Sequence, residues 1–402
     1  MAQHKIRVGI IGANVNRGWG TTAHIPAILS LPEYELTAVC TAHPETAAES
    51  ARYFGARLAF HDHREMARHP DIDLVAVVVR TPFHHELTMD ALRAGKHVYT
   101  EWPLGATLAE AQEMADLARR QGVKTMVGLQ GRCNPAYLYL RELLQEGYVG
   151  DVLACHLSQF GAGGLDRTSD RLWAKDRSAG VGTLPITFGH TIDAFCHCVG
   201  DFAEVTSVVS TLLPQWYITD TDTTVDVTTP DNVIVTGRLA NGAVVSAHVA
   251  SIPWLGSGLR VQIFGREGTL VYEAPGRLQG GRRGERALQD LPVPERLAQA
   301  PETVPQGPPF NVAQMYRRLA ESIRTGQRVE PDFDTALQRH RLLDAIQRSS
   351  DEGRRVAVPS PSTGEGEGDA FAVSLPPHLS PLPPGERRMY RTRISAASVV
   401  SL

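Results

Sequence analysis

The sequence predicts an α/β fold in two parts: a doubly wound parallel sheet first, then an α+β domain with a broad, largely antiparallel open sheet. Three observations predict it. Short apolar, β-branched runs alternate with helical patterns from Ile6 to Gln130, the pattern of successive βαβ units. From Val152 onward longer strand-like runs replace them, two of them joined by Asn241-Gly242, a strong hairpin signal. Between the first strand and the first helix, Gly12-Ala13-Asn14-Val15-Asn16-Arg17-Gly18-Trp19-Gly20 reads as a phosphate-cradling turn.

The elements follow in order. Ile6 to Ile11 suits a buried parallel strand, Gly12 permits a tight turn, and a helix from Thr22 to Leu31 would aim its free N–H groups at an anion. The expected guest is a dinucleotide pyrophosphate held by Gly12, Ala13, Asn14, Gly18 and Trp19. The loop departs from the usual G-x-G-x-x-G, because Asn14 stands at the second glycine and Gly18 comes one residue late. Tyr34 to Cys40 is the second strand, followed by a helix Pro44 to Phe54 with proline in its first turn and Gly55 past its end. Arg57 to Phe60 is a short strand. Leu74 to Val79 has no polar interruption and reads as a central strand covered on both faces. A helix His84 to Ala94 and a strand His97 to Glu101 come next. Thr107-Leu108-Ala109-Glu110 is a capping box opening a helix to Gln121, and Thr125 to Gln130 is the sixth strand. These units assign residues 1–133 to a dinucleotide-binding Rossmann domain.

Asn134-Pro135 caps a helix to Glu146, and residues 134–359 read as a substrate and oligomerisation domain. Its strands are Val152 to Ser158, Val205 to Leu213, Asn232 to Leu239, Ala243 to Ala250, Leu259 to Phe264 and Thr269 to Glu273. Its helices are Ile186 to Val199, Val312 to Arg324 and Thr335 to Ser350, with a loop from Gly276 to Pro309. Residues 360–402, rich in proline, serine and glycine, read as a disordered tail.

Composition narrows the function classes. The 402 residues suffice for two cores, and 40 basic against 44 acidic residues leave a net charge of −4, which disfavours nucleic acid or anionic membrane as partner. No secretory leader and no membrane-spanning run are expected. Five cysteines, scattered and odd in number, do not read as a disulfide framework, so a cytoplasmic location is expected. Cys196-His197-Cys198 lacks the partner pairs of a zinc site, and no metal site is expected there or at His61, His63, His84 and His85.

Residues at the carboxyl ends of parallel strands converge on a cofactor crevice, which nominates Asn14, Thr41, Arg80, Thr81, His84, Glu101, Trp102 and Gln130. Cys40-Thr41-Ala42-His43 has no acidic residue to hold an adenosine ribose, so the lean is to NADP over NAD, with Arg17 as a source of positive charge. His190 and Asp193, three apart, share a helix face; His190 is the acid/base candidate, or else a helix histidine satisfied by Asp193. Arg132 reads either as a substrate anchor or as an interdomain ion pair.

Taken together these motifs resemble the Gfo/Idh/MocA oxidoreductases, and within them the Gal80-like branch. The likeness runs through the glycine-rich turn, Thr81-Pro82, His84-His85-Glu86, Ala94-Gly95-Lys96-His97-Val98, Glu101-Trp102-Pro103, Leu129-Gln130-Gly131-Arg132 and Thr187-Phe188-Gly189-His190-Thr191-Ile192-Asp193, over about residues 5–358. It implies NAD(P) in the first domain and hydride exchange with a sugar, cyclitol or related polyol held near Trp102, Arg132 and Asp193, with His190 as the catalytic group. The broad open sheet face of the second domain makes a homo-oligomer, a dimer or tetramer, the expected assembly. Two departures stand out: Trp102 replaces the family's catalytic lysine, and Ile186 its aspartate four residues before the histidine. The branch includes a regulatory protein that binds cofactor without turnover, so that reading stands beside the enzyme.

Overall fold

The computed structural model describes residues 4–15, 18–162 and 165–359. The tail 360–402 and Arg17 therefore lie outside the described residues, and the described residues fall within one compact unit.

The first sheet has six strands, β1 (Ile6–Ile11), β2 (Tyr34–Cys40), β3 (Leu58–Phe60), β4 (Leu74–Val77), β5 (His97–Thr100) and β6 (Thr125–Val127). They are parallel in the order β3-β2-β1-β4-β5-β6, a doubly wound sheet whose order reverses between β1 and β4. β4 is buried at every position, as an apolar strand covered on both faces must be. The connecting helices are α1 (Ile25–Ser30), α2 (Pro44–Phe54), α3 (His63–Arg68), α4 (His84–Arg93) and α5 (Leu108–Gln121). The helix expected from Thr22 begins instead as a π-helical turn over Gly20–His24. Helix α3 was not expected; its signal was the N-cap Asp62, which accepts the Arg64 N–H, with Glu65 three residues on.

After α6 (Pro135–Gln145) the chain builds the second sheet. In chain order the further strands are β7 (Val152–Ala162), β8 (Asp166–Arg167), β9 (Phe202–Ser210), β10 (Gln215–Ile218), β11 (Thr223–Asp226), β12 (Asn232–Leu239), β13 (Val244–Ile252), β14 (Gly258–Gly265), β15 (Gly268–Glu273), β16 (Arg277–Arg282), β17 (Gln289–Asp290) and β18 (Val356–Ala357). Nine of them form one sheet ordered β17-β16-β15-β14-β7-β13-β12-β9-β18, antiparallel except where β7 meets β13. β8, β10 and β11 form a separate three-stranded sheet. The loop expected from Gly276 to Pro309 contains β16 and β17, whose glycines and arginines hid a strand pairing with β15. The turn between β12 and β13 is three residues long, Ala240 to Gly242, not two: Leu239 pairs with Ala243, and only Gly242 takes a positive φ (90°).

Three helices complete the fold: α7 (Gly189–Val199), α8 (Pro308–Thr325) and α9 (Phe333–Glu352). Helix α7 follows a π-helical turn, Thr183–Phe188, where one continuous helix was expected. Helix α8 crosses back to the first sheet. Its Val312, Met315, Tyr316 and Leu319 share a core with Ile6, Val8 and Ile10, so the first sheet is covered partly by sequence from beyond residue 300. Helix α9 packs its Leu342 and Ile346 into the other core, with Val205 and Val235 of the second sheet.

Candidate functional site

The crevice is built at the carboxyl ends of β1, β4, β5 and β6. Gly12 leaves β1 with φ 99°, and a Cβ there would lie 2.1 Å from the Val78 carbonyl oxygen, so only glycine fits beside the end of β4. Gly18 (φ 109°) meets nothing closer than the Gly12 carbonyl oxygen at 3.9 Å, which leaves its Cα face open. The loop is tied to the helical turn behind it: Thr21 Oγ1 donates to the Asn14 carbonyl (2.5 Å), and Thr22 donates through both its backbone N–H and its hydroxyl to the Gly18 carbonyl (3.1 Å each). Of the nine buried side-chain polar atoms that lack a hydrogen-bond partner among the described residues, two flank the crevice: Trp19 Nε1, after β1, and Gln130 Oε1, after β6. An unpartnered buried polar atom costs about 1–3 kcal/mol. Both fit a crevice whose polar complement is a bound dinucleotide.

The remaining candidates divide into those facing the crevice and those spent on the protein. Thr41, at the end of β2, shares its hydroxyl with Thr46 Oγ1 (2.6 Å) and the His43 carbonyl at the start of α2. Thr81 is buried in the 3-10 turn Thr81–Phe83. Arg80 reaches outward, donating to the Asp170 carbonyl (3.2 Å) with its guanidinium 5.1 Å from the Trp173 ring centre. His84 places Nδ1 2.7 Å from the Pro103 carbonyl and Nε2 3.0 Å from that of Val79, riveting the end of β4 to the Glu101-Trp102-Pro103 corner. Burial pulls its pKa down against those two carbonyls. Glu101 is hydrogen-bonded to His24 Nε2 (2.8 Å), whose Nδ1 meets Tyr316 Oη (2.8 Å), so a residue of α8 braces the carboxylate. Its carboxylate also presses on Gly128, where a Cβ would come within 2.5 Å.

Trp102 is buried and donates its indole N–H to the Pro185 carbonyl (2.7 Å). Its ring lies 4.9 Å from His340, and a Cβ at Gly189 would come within 2.6 Å of its Nε1. The side chain thus docks the corner after β5 against the start of α7.

Arg132 and Asp193 face each other rather than a ligand. Arg132 forks both Asp193 oxygens through Nε and Nη2 at 2.7 Å, and its Nη1 donates to Glu330 (3.0 Å) and His197 Nδ1 (3.2 Å). At 3% and 1% exposed the pair is sealed, and Arg339 adds a second cation 3.2 Å from Asp193. Of the two readings of Arg132, the geometry gives the ion pair, and Asp193 is bonded to arginine instead of orienting His190. His190 stands on the first turn of α7, half-buried, with no hydrogen bond to any described residue. Burial lowers its pKa, while the charges of Glu101 and then Asp193 pull it back up. The turn after β6 abuts α7 here, Gly131 lying under Ala194 and the His190 carbonyl.

Beside the π-helical turn that precedes α7 opens a cavity of about 310 Å³, which sequence reasoning did not find. Ile186 and Thr187, just before His190, form part of its wall, and Arg167, Arg171, Trp173 and Trp216 line it. Elsewhere, His63, Glu86 and Asp90 converge closely enough for an ion, but Arg64 bonds both carboxylates and serves as their counter-charge.

The site also sets a pH response. Burial holds His340 at about 3 and His197 at about 2, against 6.5 when unfolded. Below pH 6.5 the unfolded chain therefore takes up protons that the folded chain refuses, and stability falls as pH drops. Urea unfolding from pH 7 to 4 should lose up to ~1.4 kcal/mol per pH unit from each. His340→Gln should flatten the slope by one such increment; parallel curves would mean that His340 is protonated in the fold.

Comparison with known proteins follows the two sheets. Residues 6–129 match the model of the Gfo/Idh/MocA oxidoreductase family with NAD-binding Rossmann fold, and residues 135–274 that of the Gal80p C-terminal domain. The dehydrogenase aclE of Aspergillus oryzae is 30% identical over 371 residues, covering 87% of this chain and 97% of that protein. The galactose/lactose metabolism regulatory protein GAL80 of Saccharomyces cerevisiae is 29% identical, covering 60% of this chain and 59% of the regulator. A levoglucosan dehydrogenase in complex with NADH and L-sorbose superposes with a TM-score of 0.80 at 26% identity, covering 89% of this chain and all of that one.

Proposed function

From the premise that the chain belongs to the Gfo/Idh/MocA oxidoreductase family, with a Gal80p-like second domain, we propose that it is an NAD(P)-dependent oxidoreductase of a sugar, cyclitol or related polyol. Gly12, Ala13, Asn14, Gly18 and Trp19 would hold the pyrophosphate, Thr41 the adenosine end, and Thr81, Glu101 and Gln130 the nicotinamide half. The cofactor supplies the hydride acceptor or donor. The observation that carries the reading is His190: an ionisable ring, without a hydrogen bond to any described residue, beside the turn after β6 and one helical turn after Ile186, which lines a cavity. With its pKa lowered by burial, His190 is neutral at pH 7 and can take the hydroxyl proton as a carbinol loses hydride; in reduction it returns that proton to the carbonyl oxygen. The absence of a carboxylate at Thr41 favours NADP.

A second reading has its own support. Trp102 cannot exchange a proton, and Ile186 is apolar, so His190 is unassisted where the resembled enzymes carry lysine and aspartate. This is the arrangement of a ligand-sensing regulator without turnover. The chain should also self-associate through the open face of its nine-stranded sheet, where Val208, Ile234, Val244 and Phe264 are exposed. The two functional readings separate when purified protein is offered NADP and NAD with a panel of polyols while reduced-cofactor absorbance is followed. Turnover with at least one polyol supports the enzyme. Tight cofactor binding with no turnover across the panel supports the regulator.

A further inference from the structure

The cavity lined by Ile186 and Thr187, in the turn before α7, has an unbalanced charge. Arg167 and Arg171 line it, and neither makes an ion pair or side-chain hydrogen bond with any described residue. The one carboxylate in the lining, Asp231, is already engaged by the Leu212 and Leu213 N–H groups (3.0 and 2.6 Å). Arg167 is half-buried on β8, with its guanidinium 5.1 Å from the centre of the Trp216 ring on β10. That stacking fixes the guanidinium plane and leaves its N–H edge free, the arrangement in which arginine forks an oxyanion. Burial and the neighbouring Arg171 both lower the proton affinity of Arg167, a strain that an anion between them would relieve.

The rest of the lining suits a polyol. Trp173 and Trp216 offer aromatic surface, and Thr183, Thr187 and Ser251 offer hydroxyls. Trp173 is itself fixed from the first sheet, since Arg80 lies over its ring and bonds the Asp170 carbonyl. Ile186 and Thr187 place the other end of the cavity one helical turn before His190.

We propose that the substrate is an acidic polyol, a sugar or cyclitol bearing a carboxylate or phosphate, whose oxyanion is gripped by Arg167 and Arg171 and whose reacting hydroxyl is presented to His190. This rests on the oxidoreductase reading for the word substrate; the grip on an anion stands or falls by itself.

The test is calorimetric titration of the cofactor-loaded full chain with glucose, gluconate, glucuronate and glucose 6-phosphate, alongside turnover with each. At least one anion should bind about tenfold or more tightly than glucose and weaken as salt rises, while glucose is insensitive to salt. Arg167→Gln should reduce that anion to the level of glucose, and Arg167→Lys, which keeps the charge, should retain part of the preference. Tighter carboxylates assign a sugar acid, and a tighter phosphate assigns a sugar phosphate. Equal binding of glucose and the anions, no binding of any of the four, or an unchanged preference in Arg167→Gln overturns the proposal. An anion that binds by this pattern but never reduces the cofactor upholds the grip and defeats the oxidoreductase reading. Turnover of neutral polyols alone does the reverse.

Discussion

Asp193→Ala should lower the unfolding free energy by about 3–5 kcal/mol, the loss expected when one member of a buried ion pair is removed and the other charge stays behind. The residue is 1% exposed and faces two guanidiniums, Arg132 at 2.7 Å on both oxygens and Arg339 at 3.2 Å. Removing it leaves two cations in the interior, with Glu330 and Asp201 at the margins as their remaining partners. The pair also joins the turn after β6 to α7, the helix that carries His190, so the same variant should blunt any catalytic activity. Urea unfolding measures the first effect. Arg132→Met combined with Asp193→Leu should recover part of the loss, because it removes one of the two stranded cations and leaves Arg339 to its remaining partner Asp201. A loss below about 1 kcal/mol in Asp193→Ala would mean that water reaches the pair and that it behaves like a surface bridge.

His190→Ala should lower kcat by 10²–10⁴-fold, the usual contribution of a positioned acid/base. Cofactor affinity should stay within about twofold, since His190 is separate from the glycine loop. In the oxidation direction the ring must begin neutral. Its pKa lies below the ordinary 6.5, so the rate should be level through neutral pH and fall only on the acid side of 6.5. The variant should lose that inflection along with its rate. An unchanged pH profile in His190→Ala would transfer the proton to another group.

Much of this was legible beforehand because local rules agreed with the fold. An uninterrupted apolar run such as Leu74 to Val77 can only be a central strand, and Thr107 with Glu110 can only open a helix. Longer-range facts left no local trace. Arg132 and Asp193 are 61 residues apart, and nothing in either neighbourhood says that they bond each other. Helix α8 is amphipathic wherever it packs, so its periodicity could not reveal that it covers the first sheet and braces Glu101 through Tyr316 and His24. The Arg167 cavity is assembled from β8, β10, the end of β13 and the turn Thr183–Phe188, segments distant in sequence whose convergence no local pattern announces. Trp102 was visible as a departure from the resembled family, but its lock on Pro185 was not.

The central claim is that hydride passes between a polyol and a nicotinamide in this crevice. It is tested most directly by incubating the cofactor-loaded protein with a polyol deuterated at its carbinol carbons and examining the cofactor by mass spectrometry. The oxidoreductase reading predicts deuterium on the reduced nicotinamide ring, appearing about 10²–10⁴-fold more slowly in His190→Ala. Bound cofactor that remains unlabelled while the polyol retains all of its deuterium would contradict it.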